Sequence, residues 1–330
     1  MLEKLGELYR KVISPTFLIV LILAVLIPAI FRVLGLYYVV YVITLIYFWA
    51  YVAQSWNILY GYAGQLSFGH AAFLGIGAYA SSILFTKYGL SPWIGMWIGG
   101  ACACLLAIIV GYPTLKLRGV YFALATIAIA EMVRLLTLKF DFITNGPLGI
   151  ILPITRSPLY FQFEDVLHWC YTALGMLLIL SYICQKIETS SLGIALRAIR
   201  EDEEAASSIG IDTFKYKMIA LLLSAFFTAL GGAFFAQLTG YIRPDTVMTL
   251  ERSEEIIIIG LVGGTGTFLG PIMGSMILIT LRQTILAFLG GGYAGVHLIF
   301  YGLLIILVVR MMPEGVYPYI RRALEAVLKS

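Results

Sequence analysis

Charge is scarce in this chain, only 12% of 330 residues, and histidine is scarcer still, with His70, His168 and His297 the whole supply. With 61% hydrophobic residues and a mean hydropathy of +0.94, the sequence is too apolar for a water-soluble domain. No lysine occurs between Lys217 and Lys329, so the glycine-rich stretch 260–274 lacks the cation that a nucleotide-binding loop of the G-x-x-x-x-G-K-[ST] kind requires. The histidines show no ligand spacing. The four cysteines, Cys102, Cys104, Cys170 and Cys184, sit in or beside apolar runs and form no CxxC pair. The sequence therefore offers no metal site and no disulfide framework. It has no paired carboxylates or nucleophile with a base, which argues against an intramembrane enzyme. Its basic residues mark the ends of apolar runs instead of forming a patch, which argues against nucleic-acid binding.

What is present is a series of apolar runs of about 20 residues, the length that crosses a bilayer as a helix. A transmembrane barrel would instead alternate in segments of about ten. The reading is an all-α polytopic membrane protein, a single domain over 1–330, with about ten transmembrane helices. Lys4, Arg10 and Lys11 precede a first run from Thr16 to Phe31, read as an uncleaved helix. The next runs are Leu36 to Tyr60, a glycine-rich third segment from Gly61 to Leu84, Pro92 to Gly111 and Val120 to Leu138. Phe140 to Asp165 is a polar loop, followed by Val166 to Gln185. Met218 to Leu238 carries a small face of Ala225, Ala229, Gly232, Ala233 and Ala236 suited to close helix contact. After a polar stretch from Tyr241 to Glu255, the run beginning at Ile256 reads as two spans, or a half-span and a span, meeting at a glycine-rich turn. Arg282 and Gln283 stand as isolated polar residues in the ninth run, and Ala294 to Val309 makes the tenth.

One interior stretch cannot enter a bilayer. Ser191 to Lys217 crowds Arg197, Arg200, Glu201, Asp202, Glu203 and Glu204 together, and each such charge costs roughly 2.5 to 3.5 kcal/mol at the centre of a membrane helix. Residues 186–217 are therefore an aqueous loop. Leu192, Ala195, Leu196 and Ile199 recur at helical spacing, with Gly193, Arg197 and Arg200 on another side. Ser190 or Ser191 can cap this helix. Asp202 can cap a second one whose first turn holds Glu203 and Glu204, and Gly210 can end it in the left-handed conformation. The pattern suits a docking surface or a solvated connector.

If the chain starts on the inner side, the inner segments collect Lys4, Arg10, Lys11, Lys116, Arg118, Lys186, Arg197, Arg200, Lys215, Lys217, Arg310, Arg321, Arg322 and Lys329. The outer ones hold Arg32, Lys87, Lys139, Arg156, Arg243 and Arg252. That bias puts both termini and the 186–217 loop in the cytoplasm. Within the spans, His70 reads either as a packed, hydrogen-bonded helix histidine or as a lining of a solute path, together with Gln65 and Ser67. Glu131 and Arg134, at i and i+3, read either as a self-neutralising pair or as pathway residues. Gly64, Gly69, Gly263, Gly266 and Gly270 permit close packing or a broken helix. Glycine-rich hairpins after Gly61 and after Gly260 suggest an internal repeat of weak similarity.

Glu204-Ala205-Ala206 followed by Gly210 resembles the EAA-x-x-x-G loop by which ABC importer permeases engage their ATPase. The surrounding LGIALRAIREDEEAASSIGID, running on to YKMIALLLSAFFTALGGAFFA, is similar to the M-type (LivM-like) permeases of branched-chain amino acid importers. GYAGQLSFGHAAF, TNGPLGI and IIIIGLVGGTGTFLGPIMG each resemble stretches of the same family, and the likeness covers nearly the whole chain from about Tyr38 onward. It implies a non-catalytic permease subunit of the cell membrane, with Arg200, Glu201, Glu204, Ala205, Ala206 and Gly210 in the ATPase-coupling loop. It implies no cofactor on this chain, ATP and Mg being held by the partner. The implied partners are a second, H-type permease, two cytoplasmic ATPase subunits and an extracytoplasmic substrate-binding protein delivering leucine, isoleucine or valine. Permeases for urea, short amides and other amino acids share the pattern. A secondary transporter driven by an ion gradient is the reading from another class, and Glu131 is the one serious candidate for an ion ligand in it.

Overall fold

The computed structural model describes residues 21–289 together with 302, 306, 310, 312, 315–320 and 322. The tenth apolar run, apart from residues 302 and 306, and residues 1–20 lie outside the described residues. The chain builds α1 (Leu21–Val33), α2 (Tyr37–Asn57) continued by a π-turn (Ile58–Tyr62), α3 (His70–Tyr88), α4 (Pro92–Thr114), α5 (Val120–Lys139) and the short α6 (Asp141–Thr144). It continues through α7 (Val166–Thr189), α8 (Ser191–Glu201), α9 (Glu203–Ser208), α10 (Thr213–Thr239), the short α11 (Pro244–Val247), α12 (Leu250–Gly263) and α13 (Gly270–Leu289). Among the described residues, six helices are long and apolar enough to cross a membrane: α2 with its π-turn, α4, α5, α7, α10 and α13.

The helix limits follow local chemistry. Ser91 caps α4 ahead of Pro92, Asp165 caps α7 by accepting from the Leu167 N–H at 3.0 Å, and Asp212 caps α10 by accepting from that of Lys215 at 3.0 Å. Gly89 and Gly240, both left-handed, close α3 and α10. The all-α reading needs one small addition. β1 (Ile150–Ile151) pairs antiparallel with β2 (Tyr241–Ile242), tying the 140–165 loop to the segment after α10.

At the centre, α10 packs against α2, α3 and α4. Its small face is what allows this, since Ala225, Ala229, Gly232, Ala233 and Ala236 are all buried. A side chain at Gly232 would lie 1.9 Å from the Leu74 carbonyl oxygen, and one at Gly77 only 1.8 Å from that of Ala229, so α3 and α10 meet backbone to backbone. Aromatic side chains fill the core around this contact, with Phe48, Phe161, Trp169 and Phe234 stacked or edge-on to one another. The outer faces of α4 and α5 stay apolar and exposed, as at Trp97, Leu105, Ile109, Tyr121 and Leu124, which suits lipid.

Of the two readings of the Gly61 to Leu84 glycines, the structure has the broken helix, which stops at Ala63 and resumes at His70. Two boundaries depart from the sequence reading. The flanking helices run into the 186–217 stretch, α7 to Thr189 and α10 from Thr213. Glu251 to Glu255 are helical, the first turns of the half-length α12.

Replacing Gly232 by Ala is expected to lower thermal stability in detergent by about 1–3 kcal/mol, the usual cost of overpacking, because a backbone carbonyl cannot yield as a side chain can. Asp165 gives a pH signature. Burial pushes its carboxyl up, but the Leu167 N–H and the Arg32 guanidinium, at 2.8 Å, outweigh that and hold it below the usual carboxylate range. A depressed folded pKa means that this contribution is complete above the ordinary carboxylate value and lost as pH falls through the folded one. Melting temperature should therefore decline in acid, and Asp165→Asn should flatten that decline.

Candidate functional site

The Ser191 to Gly210 stretch forms two short helices standing off one end of the bundle. Ser190 supplies the first cap, accepting from the Gly193 N–H at 3.3 Å. Asp202 supplies the second, its Oδ1 accepting from the N–H groups of Glu204 and Ala205 at 2.9 and 3.0 Å. Gly210, at φ +89°, turns the chain out of α9. Ala195, Leu196 and Ile199 face the bundle with Leu192 beside them. Gly193 faces it too, contrary to the sequence reading, because a side chain there would meet the Ile187 carbonyl oxygen at 2.1 Å. Ala206 packs inward and Ala205 outward, so the two alanines serve different faces. The outward face of α9 presents Glu204, Ala205, Ser207, Ser208 and Ile209, and Glu201 is exposed at the end of α8.

Two ion pairs tie α9 to the helices around it. The fully buried Lys217 of α10 donates to Glu203 at 2.6 Å and to the Leu115 carbonyl at 3.0 Å. Arg118, in the turn before α5, donates to Glu204 at 2.5 Å, and the hydrogen bond and charge of that carboxylate raise the guanidinium's pKa further.

Beneath α8 the two glycine-rich stretches meet. Arg200 donates from Nη1 to the Gly61 carbonyl at 2.6 Å, inside the π-turn that ends α2. A side chain at Gly61 would sit 2.6 Å from the Gly266 nitrogen, and one at Gly266 only 2.5 Å from Arg200 Nη1. Gly64 and Gly266 have positive φ, at 71° and 79°. Asn57 locks the two turns together, accepting from the Gly266 N–H at 3.0 Å and donating to the Thr267 carbonyl at 2.9 Å. Gln54 donates to the Phe268 carbonyl at 3.1 Å, and Tyr62 donates to Glu188 at 2.8 Å. Gly263 and Gly270 let α12 and α13 touch, a side chain at either meeting a carbonyl at 1.8 Å. Gly315 rests on Gly264.

Deeper in the bundle, the non-helical residues between Ala63 and His70 run between packed helices, where every backbone group needs a partner. The Phe68 N–H donates to Thr126 Oγ1 at 3.0 Å, the Gly69 N–H to Ser67 Oγ at 3.1 Å, and the Ala71 N–H to Ser253 Oγ at 3.1 Å. The Ser67 carbonyl accepts from Trp56 Nε1 at 3.0 Å. His70 is fully buried, its Nε2 2.6 Å from Ser224 Oγ and its ring edge-on to Phe73, the packed-histidine arrangement. Gln65 is partly exposed and bonds only weakly to the Ala63 carbonyl at 3.5 Å.

A separate face carries charge. Arg134 grips Glu131 through two bonds of 2.5 and 2.9 Å and reaches Asp245 at 2.6 Å. Glu255 is shared by Arg252, at 2.6 Å, and Arg282, so Arg282 is not isolated as its sequence setting suggests. Arg252 also lies over the Trp49 and Phe235 rings. Counting about 1.5 Å per residue, Glu131 and Arg134 lie about 12 and 8 Å inward from Lys139, and Arg282 about 18 Å from Gly270. Glu251 and Glu254 are exposed nearby on α12.

Apart from Glu201, Glu204, Ala205, Ala206 and Gly210, which stay together on the α8–α9 pair, the sequence-selected residues fall into three groups. Arg200 joins Gly64, Gly266 and the α12–α13 turn. Ser67, Gly69 and His70 belong to the bonded break inside the bundle, while Glu131 and Arg134 stand on the charged face. Asn57, Arg118, Thr126, Lys217 and Ser253 were missed, for each is a single polar residue whose partner is distant in sequence. Among the described residues no group of three or more histidine, cysteine or carboxylate side chains could hold a metal.

The family model described as branched-chain amino acid transport system / permease component matches residues 38–309. The high-affinity branched-chain amino acid transport system permease protein LivM of Escherichia coli (strain K12) is 30% identical over 82% of this chain and 67% of its own. The probable branched-chain amino acid transport permease protein LivM of Methanocaldococcus jannaschii is 24% identical, covering 86% of this chain and 91% of its own. LivH of Salmonella typhimurium is 25% identical over 81% and 90%. No solved structure matches the chain.

Removing the hydroxyl that serves the broken segment, in Thr126→Val or Ser253→Ala, should leave a buried N–H unpaired and cost about 1–3 kcal/mol. Thr126→Ser keeps the acceptor and should recover most of that loss, read by thermal unfolding of the detergent-purified protein.

Proposed function

The chain belongs to the family of branched-chain amino acid transport system permease components, and from that premise we propose that it is a membrane subunit of an ATP-driven importer whose α8–α9 loop receives the movement of a separate ATPase. It is a multi-pass protein of the cell membrane. The observation that carries the proposal is the build of that loop. Its outward face is exposed, small and acidic around Glu204, Ala205 and Gly210, while its inward face is bolted to the glycine-rich turns. A surface that only bridged two spans would need neither the double cap nor the buried Lys217–Glu203 pair.

In this reading α8 and α9 face the cytoplasm, as the distribution of basic residues suggests. The charged face of α5, α11, α12 and α13 then borders the second permease and the solute path, because ionised groups within spanning helices belong against protein or water and not lipid. LivM-type and LivH-type relatives both resemble the chain, which supports a second permease subunit as its neighbour. The solute is a branched-chain amino acid, delivered by an extracytoplasmic binding protein, and ATP and Mg are held by the ATPase pair. The chain itself moves no covalent bond. Its chemistry is positioning: the joint at Arg200, the bonded break at His70 and the ion pairs on the charged face are elements whose relative placement can open or close a path.

The test is uptake of labelled leucine, isoleucine or valine into vesicles holding the complete assembly. Uptake that requires ATP and survives an ionophore supports the proposal; uptake that collapses with the ionophore and ignores ATP would assign the chain to gradient-driven transport. Gly210→Val and Glu204→Lys should each reduce co-purification of the ATPase subunits while leaving membrane insertion intact, and unchanged co-purification in both would remove the docking role from α9.

A further inference from the structure

The importer reading says where an ATPase would push but not how the push reaches helices that are remote in sequence from the loop. Covalently, α8 and α9 connect only to α7 and α10. α10 itself meets α3 at the His70–Ser224 bond, but the half-length α12 is reached by another route, which Arg200 enters from α8.

Arg200 sits over a place where three glycines clear the way. Its guanidinium donates to the Gly61 carbonyl at 2.6 Å, and side chains at Gly64 and Gly266 would come within 3.2 Å of its Cγ and 2.5 Å of its Nη1. The π-turn at 58–62 and the 264–266 turn are one mechanical unit, since Asn57 bonds both the Gly266 N–H and the Thr267 carbonyl. From that unit α12 extends as a rigid rod of 14 residues, about 21 Å long. Its far end holds Ser253, which bonds the Ala71 N–H at the break, and Arg252 and Glu255, which hold Arg282 on the charged face. A displacement of α8 thereby reaches α12 through the Arg200 guanidinium, beside the Glu188–Tyr62 bond that leads from the end of α7 to the same π-turn.

We propose that Arg200 is the positioning residue that couples movement of the α8–α9 loop to α12 and the break before α3, by clamping the Gly61 and Gly266 turns as one unit. This rests on the importer reading above. It is distinct from docking on α9, because Arg200, though exposed, is bonded at its tip to the Gly61 carbonyl, whereas the outward face of α9 makes no such bond to the glycine-rich turns.

The experiment uses the complete transporter in proteoliposomes, measuring uptake, ATP hydrolysis and ATPase co-purification together. Arg200→Ala is expected to keep co-purification and hydrolysis but to lower solute moved per ATP by about tenfold or more, within the usual range of coupling between sites. Arg200→Lys retains a donor for the Gly61 carbonyl but not the fork, and should fall between wild type and Arg200→Ala. Gly266→Ala should uncouple in the same direction. Combined with Arg200→Ala it should add less than the sum of the two single effects, since the clash with the guanidinium is gone while the positive-φ strain and the 3.1 Å approach to the Gly61 carbonyl remain. Unchanged uptake per ATP in Arg200→Ala overturns the proposal, as does loss of hydrolysis in step with loss of ATPase co-purification, which would make Arg200 a docking residue. Absence of ATP-driven uptake in the wild type would instead defeat the importer reading, a result read from a different sample.

Discussion

A backbone that leaves the helical path inside a bilayer has no water to bond, and its N–H and C=O groups must find partners within the protein or unfold the region. The structure meets this constraint at two breaks, before α3 and around α12, and part of its polar interior serves that purpose. Thr126, Ser67 and Ser253 each lend a hydroxyl to one amide of the first break. Asn57, Gln54 and Arg200 serve the π-turn and the α12–α13 turn. Ser67 lies in the break itself and the others come from α2, α5, α8 and α12, so satisfying the breaks also fixes how those four helices sit relative to one another. Local irregularity and global arrangement are set by the same bonds.

The charged residues inside the helices follow a related logic. None of the cluster members stands alone: Glu131 and Asp245 share Arg134, while Arg252 and Arg282 share Glu255. Pairing lowers the cost of holding ions at depth without removing their polarity, which leaves a face that can meet another polypeptide or water. The shared Glu255 is 10% exposed at its side chain and its two arginines only 23% and 31%, so this cluster is held more tightly than the one at Arg134. The aromatic rings of Trp49 and Phe235 beneath Arg252 add a second, non-ionic attraction.

Much of this was legible in the sequence where the signal is local. Apolar runs located the long helices, Asp202 and Gly210 marked the limits of α9, and the alanines and Gly232 identified the buried face of α10. The glycine-rich stretches were recognisable as sites of close packing, but not as partners of each other, because nothing in the residues near Gly61 names Gly266. A break among the glycines before His70 was open in the sequence as one of two readings. Its position and its partners were not, because they depend on hydroxyls supplied from α5 and α12. Gly193 was misplaced because helical periodicity treats a glycine among polar residues as outward, whereas contact with the end of α7 admits only a glycine there.

The union of Asn57 with Gly266 spans 209 residues of chain. During synthesis, the early helices enter the bilayer long before the amide and carbonyl that Asn57 requires have been made. Until then the Asn57 carboxamide remains without its finished partners. A nascent chain halted before residue 266 would therefore carry its early spans with this buried amide unpaired, so the joint between the two turns is completed late however early α2 is made.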